Sequence, residues 1–445
     1  MSLAIGLLGG PLADPAAAQA AAAEAPKIDT GDTAWMLISS ALVLLMTPGL
    51  AFFYGGLVRS RNVLNTMMMS LVALAVVGVT WVLWGYSLSF APTVLSPGGN
   101  PAFEANQFIG SLKWFAFQGV GTDPDPVGYA GTIPHQVFAL YQMMFAIITV
   151  ALVSGAIAER MSFKAYFWFV VIWSTVIYCP LAHWVWGKGW LGTMGALDFA
   201  GGTVVHISSG VSALVAAWML GPRKDWQNRA IVPHNVPFVL LGTGLLWFGW
   251  FGFNAGSAVA ANGLAATAFT ATMVSTAAAG LAWVIAEWLV RGKPTAVGIA
   301  SGFVAGLVGI TPAAGFVDPL SSIAIGVITS LCCFGAVNLK VKLGFDDALD
   351  TFPVHGVGGT VGAILTGVFA SKSVNSAIES GLLYGGTKTF TAGIVGVVAA
   401  YATAAIGTFL ILKVLSLFMD LRVTSETEDD GLDIQEHGEG AYGEP

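Results

Sequence analysis

Read for polarity alone, the chain is a succession of long apolar runs separated by short polar ones. The runs fall near residues 33–57, 63–91, 134–158, 165–185, 203–221, 235–254, 262–290, 295–313, 319–339, 353–370 and 387–418. A helix rises about 1.5 Å per residue, so about 20 apolar residues cross a bilayer. Eleven such runs predict an all-α polytopic membrane protein with eleven transmembrane helices. A membrane barrel would instead read as short alternating segments. Between Pro92 and Pro134 the chain is rich in Gly, Pro and Asp, the composition of a loop.

Composition supports this reading. Of 445 residues, 56% are hydrophobic and 10% charged, where a soluble domain carries about 25% charged residues. Mean hydropathy is +0.76. The 56 glycines suit helices that approach closely in lipid, where small residues make the contact. Much of the net charge of −7 lies in the acidic tail after Met419, and no basic patch points to nucleic acid. Cys179, Cys332 and Cys333 sit in apolar runs without disulfide-framework or zinc spacing and read as core. Residues 1–26 read as a leader that a signal peptidase would remove, with "AQA" at Ala18 to Ala20 as the candidate site. The usual basic start of such a leader is missing.

Charge also orients the spans. With the N-terminus outside and the spans alternating, 13 of the 18 lysines and arginines fall inside and 5 outside. That bias predicts N-out, C-in and an odd number of spans. Residues 32–418 then form the membrane domain and 419–445 a cytoplasmic tail. Five spans, five more and one extra suggest two inverted five-helix repeats plus an added helix, an arrangement that places a site near the midplane. The motif "GGTV" at Gly201–Val204 and again at Gly358–Val361 is a weak trace of such a repeat.

Two histidines lie inside spans, His206 in "GGTVVHISSG" and His355 in "TFPVHGVGGTVG". An ionisable group there is costly and marks a functional site by default. The plainer alternative is a neutral ring bonded to a backbone carbonyl. One histidine in the fifth span of each half favours a pair that meets at the repeat axis. A metal would want further ligands, and no Cys, Asp or Glu lies deep in a neighbouring span, so no metal or other cofactor is expected. Asp198 is placed to cap the fifth helix. Glu287, four residues before Arg291, reads as a surface ion pair. The sixth span carries a dense aromatic set in "LLWFGWFGFNAGSA". Trp184 and Trp190 in "AHWVWGKGW" suit an interfacial belt, but that role does not explain the sixth-span cluster. Aromatic faces can hold a partly dehydrated cation.

The stretches "DFAGGTVVHI", "GWFGFNAGSA", "AHWVWG", "SGAIAER", "EWLVRGKPT", "GLVGITPA" and "VHGVGG" together resemble the ammonium transporter (Amt) family, kin to the Rh proteins, and the bacterial type in particular. The resemblance runs from about Asp32 into the tail. It implies a homotrimer in the bacterial inner membrane with one pore per subunit, carrying ammonium or methylammonium. It also implies residue roles. Trp186, Phe145 and Ser257 match the external recruitment site, and Phe145 and Phe253 match the stacked gate. His206, His355 and Trp250 match the pore and its proton relay, and Asp198 matches the aspartate near the mouth. Tyr141 stands where some members have phenylalanine, and its hydroxyl is expected to add a ligand for the incoming cation. The tail "EDDGLDIQEHGEGAY" resembles the family's regulatory tail, which implies block by a PII-type signalling protein. The plainer alternative is a solvated acidic terminus.

Two other classes compete. A membrane-embedded enzyme would need a nucleophile or a metal-ligand set, and the sequence offers neither. A sensor form of the family would carry an added cytoplasmic domain where this tail is a short acidic segment. The resemblance leaves open whether the transported species is ammonia alone or ammonia with a separately conducted proton.

Overall fold

A computed structural model describes residues 27–92, 107–228 and 231–443. The leader expected over 1–26 lies outside the described residues. Ten helices among the described residues are long and apolar enough to cross a membrane, and an eleventh, Ala296–Ile310, is shorter at 15 residues. In chain order these are Thr30–Leu57, Ser60–Phe90, His135–Ile157, Phe163–Met194 (broken by a turn at 186–189), Gly202–Leu220, Val236–Ala258 and Gly263–Arg291, then the shorter Ala296–Ile310, and Pro319–Lys342, Phe352–Phe369 and Lys388–Leu415. The described residues are all-helical apart from one isolated bridge, Met161 with Arg422. Two short tail helices follow, Ser425–Asp430 and Leu432–His437.

Sequence spacing already favours helices here, because lipid leaves backbone polar groups no partner but one another. Packing then decides which helices touch. The third span is buried on nearly every side and forms the centre of the bundle. The first span lies along the sixth, and glycine makes that approach possible. A Cβ on Gly242 would stand 2.3 Å from the Phe53 amide nitrogen, and one on Gly249 2.5 Å from the Leu42 carbonyl oxygen.

Four spans contain a π-helical turn: Trp81–Gly85, Ser174–Tyr178, Gly202–Ile207 and Phe352–Val357. Such turns insert a residue into an α-helix and are often functional. The last two carry His206 and His355. They begin close to the helix ends, so each histidine sits just inside its span.

Buried charge gathers on the face that the tail covers. Glu159 is fully buried between Arg223, at 2.8 Å, and Arg59, at 3.0 Å. Arg223 also grips the Asp346 carboxylate through Nη2 at 2.8 Å and Nε at 3.0 Å. Burial alone would raise the Glu159 carboxyl, but Arg223 and Arg59 outweigh it and hold it at about 2. The tail closes over this network. Arg422 pairs with Glu428 at 2.6 Å, and Lys224 pairs with Asp429. The Asp433 carboxylate accepts the Leu64 and Asn65 amides, and Leu432 N–H donates to Asn62 Oδ1 at 2.8 Å. The acidic tail is therefore docked rather than freely solvated.

Glu287 departs from its expected role. It is 1% exposed. Besides Arg291 at 3.1 Å it accepts from the Thr295 amide and hydroxyl. It ties the seventh span to the start of the eighth, a partner that i,i+4 spacing did not suggest.

Candidate functional site

The fifth and tenth spans cross where Gly210 meets Gly356. A Cβ on Gly210 would lie 2.2 Å from the Gly356 nitrogen. That approach brings the two histidine turns together. His355 Nδ1 and His206 Nδ1 are 3.2 Å apart, with ring centroids at 5.2 Å and planes 25° apart, so the rings meet edge to edge. Trp250 stacks on His206 at 5.4 Å with planes 20° apart and donates from Nε1 to Thr311 Oγ1 at 2.9 Å. The pairing expected from one histidine in each half is present. The two "GGTV" copies, however, are not equivalent: one opens the turn before His206 and the other follows His355.

Each turn is held by a carboxylate. Asp198 Oδ1 accepts the Gly201 and Gly202 amides at 2.9 and 2.6 Å, and Oδ2 accepts those of Thr203 and Val204 at 2.8 and 3.1 Å. These are the otherwise unpaired donors of a helix start, so the expected capping role is met fourfold. Asp347 accepts the Thr351 and Phe352 amides at 3.1 and 2.6 Å.

Three cavities follow one another, the first outside the Phe145–Phe253 stack and the other two beside the histidines. A cavity of about 280 Å³ opens on the side away from the tail, lined by Tyr129, Phe138, Gln142, Phe145, Trp186, Ser257 and others. Below it Phe145 and Phe253 stack at 4.2 Å and close the way. Past them is a cavity of about 10 Å³, lined by His206, His355, Trp250, Phe253 and apolar side chains such as Leu50, Ile148 and Val304. That is about the space one water-sized molecule needs. A third, of about 40 Å³, opens toward the tail and shares Phe53, Val304 and His355 with the second.

Most of the expected residues meet here. Trp186 packs edge-on to Phe145 at 5.9 Å and donates to the Asp198 carbonyl oxygen at 2.8 Å. Phe145, Trp186 and Ser257 share one cavity wall. Tyr141 does not share it. Tyr141 is fully buried behind the wall, with its hydroxyl bonded to the carbonyl oxygens of Gly252 and Phe253 at 2.9 and 2.8 Å and to Ser257 Oγ at 3.2 Å. Its hydroxyl is engaged in holding Ser257 and the end of the sixth helix, which corrects the expected role as a cation ligand. Gln142, one residue on, reaches the cavity instead and carried no sequence signal. Tyr129 was also missed, because nothing in the loop composition says that it folds back over the mouth, and Phe138 reads as one more apolar residue of the third span.

Fold and site together define a helical membrane protein built around a narrow apolar passage lined by paired histidines. The chain belongs to the ammonium transporter family: the model of the Ammonium Transporter Family matches residues 34–442. An ammonium transporter of Bacillus subtilis (strain 168) is 52% identical over 413 residues, covering 93% of this chain and 98% of that one. The crystal structure of Saccharomyces cerevisiae Mep2 superposes with a TM-score of 0.82 at 38% identity, covering 90% of this chain and 88% of that one. A structure described as a sensor Amt protein superposes at 0.81 with 30% identity, covering 92% and 98%.

Proposed function

We propose that the protein takes up ammonium by gathering the cation at the Trp186–Phe145–Ser257 wall, removing its proton, and passing ammonia between His206 and His355. The observation that carries this reading is the histidine pair against a cavity the size of one small molecule. Among the described residues no hydrogen-bond partner reaches His206 Nε2, a buried atom, and a buried polar atom without a partner asks for a ligand.

The pair suits ammonia by its proton count. A neutral imidazole carries one proton on one of two nitrogens. In a contact between the two Nδ1 atoms, one ring donates and the other accepts. The donating ring then has a bare Nε2, and the accepting ring has Nε2–H. The pair therefore offers the passage one acceptor and one donor, which matches a molecule that does both. A proton taken up at the bare Nε2, passed on across the Nδ1 contact and released from the other ring's Nε2 exchanges these roles, which is the motion a proton relay needs.

Selectivity follows from desolvation. A bare ion in this apolar passage would lose its hydration without replacement, at a cost of many kcal/mol. Cation–π contact at the mouth returns about 2 kcal/mol, enough to gather an ion and too little to carry it through. Potassium has no neutral form to adopt, whereas ammonium becomes ammonia by giving up one proton.

Replacing His206 with alanine tests the reading. Uptake of labelled methylammonium is expected to vanish or to lose selectivity while the protein still folds; unchanged uptake and selectivity would overturn the relay. An ammonium pulse on proteoliposomes reads the net charge moved, and a current with ammonium but not with potassium makes transport electrogenic. Likeness to the family further supports a homotrimer in the bacterial inner membrane, with the N-terminus outside and a PII-type protein acting on the docked tail. The mass of the detergent-solubilised complex checks the trimer.

A further inference from the structure

Lys188 lies against Tyr129, a wall of the large cavity, and has no part in the passage described so far. It lies between Gly187 and Gly189 in the turn after Trp186. Packing requires both glycines. A Cβ on Gly187 would stand 2.2 Å from the Ser89 carbonyl oxygen, and one on Gly189 2.6 Å from that of His183. The turn therefore has little room to shift. At its apex Lys188 has a φ of 62°, in the left-handed region that glycine enters freely and other residues disfavour. A third glycine would relax the turn. A lysine in this strained backbone points to a use for its side chain.

The side chain is exposed but anchored. Its Nζ donates to the Val127 carbonyl oxygen and lies 5.3 Å from the centroid of the Tyr129 ring. Tyr129 is itself fixed. Its hydroxyl donates to the Phe90 carbonyl oxygen at 3.0 Å, and its amide donates to the Asp125 carboxylate at 3.0 Å. Its ring stacks on Phe138 with planes 3° apart. Tyr129 and Phe138 both line the large cavity. The chain thus holds an ammonium group of its own against an aromatic wall of the chamber where substrate ammonium would gather.

We infer that Lys188 is an electrostatic brake on recruitment, a fixed cation that weakens capture of ammonium at the mouth and confines it to the Trp186–Phe145–Ser257 wall. The inference rests on the recruitment reading given above. Like-charge repulsion across a partly aqueous mouth is worth a few-fold in KM and is screened by salt. The side chain also covers a ring that is otherwise a second cation–π surface. Both effects act on capture and leave the passage beyond Phe145 untouched, so the brake sets KM and not the maximal rate.

The test is labelled methylammonium uptake over a range of concentrations, at low and high sodium chloride, for the wild type and for K188R, K188Q, K188E and W186L. The expected result is a KM lowered about two- to fourfold in K188Q and further in K188E, with the maximal rate retained. K188R keeps the charge and keeps the wild-type KM. The differences shrink at high salt. If K188Q and K188E leave KM unchanged while W186L raises it, recruitment at the aromatic wall stands and the brake is refuted. If K188R behaves like K188Q, the effect is one of packing and the brake is likewise refuted. If W186L also leaves KM unchanged, the recruitment reading fails and takes the brake with it.

Discussion

Asp198 and Asp347 stand eight residues ahead of His206 and His355 respectively, and each carboxylate accepts the opening amides of the π-helical turn that carries its histidine. The two turns are thus built to one plan. A carboxylate fixes the start of the turn, the inserted residue redirects the helix, and the ring projects toward its counterpart.

This plan makes Asp198→Asn a damaging change. Both Asp198 oxygens serve two amides each. An asparagine keeps one oxygen and turns its NH2 toward two N–H donors. Losing charge-assisted bonds and leaving buried donors unpaired costs about 2–4 kcal/mol. The expected outcome is a lower thermal midpoint in detergent together with loss of methylammonium uptake. Wild-type values of both would show that the cap is dispensable.

Gly210→Ala tests the helix crossing behind the histidines. The new methyl group meets the Gly356 backbone, which has no side chain to move aside. Overpacking of this kind costs about 1–3 kcal/mol and parts the fifth and tenth spans. Uptake is expected to fall more than tenfold, with the protein still expressed. The measurement is uptake normalised to the amount of purified protein in the membrane.

Trp186→Leu removes the aromatic face at the mouth and the bond to the Asp198 carbonyl oxygen. KM for methylammonium is expected to rise about tenfold, in line with the strength of one cation–π contact. Loss should be greatest at low substrate. An equal loss at every concentration would place the effect on the passage rather than on capture.

Glu159→Gln addresses the buried ion network. A carboxyl moved from 4.5 to about 2 is worth about 3 kcal/mol at neutral pH, at 1.36 kcal/mol per pH unit. Because the folded value is the lower one, this stability is complete above about pH 4.5 and is lost as pH falls toward 2. Thermal melts should show the wild type well above the glutamine variant at pH 7. The two curves should converge in acid.

Much of the architecture is legible in the sequence. Lipid admits helices and little else, so each apolar run located its span to within a few residues, the fourth included, whose helix ends at Val185 before the turn at 186–189. His206 and His355 were legible for a related reason, since a titratable ring in a span is too costly to be incidental. What escaped depends on placement rather than on residue type. Identical letters drew attention to "GGTV", while the relationship that matters is the offset from Asp to His, which π turns hide from a 3.6-residue period. Tyr141 was expected at the cavity because it stands where some members of the family have phenylalanine, but three oxygen partners hold it behind the wall. Glu287 looked like a surface group because its pairing with Arg291 is local, while its second partner, Thr295, lies across a turn. Tyr129 joins the mouth through a loop whose composition says only that it is a loop.

The smallest cavity, about 10 Å³ beside the two histidines, carries a consequence for traffic. Two molecules cannot stand abreast there, so nothing overtakes. On the proposed route, a molecule entering from the mouth waits for the one ahead to clear His355. A molecule moving outward blocks the queue for as long as it stays. Inward and outward fluxes of labelled solute are then not independent, and raising the concentration on the tail side slows arrival from the other side even where the net gradient still points inward.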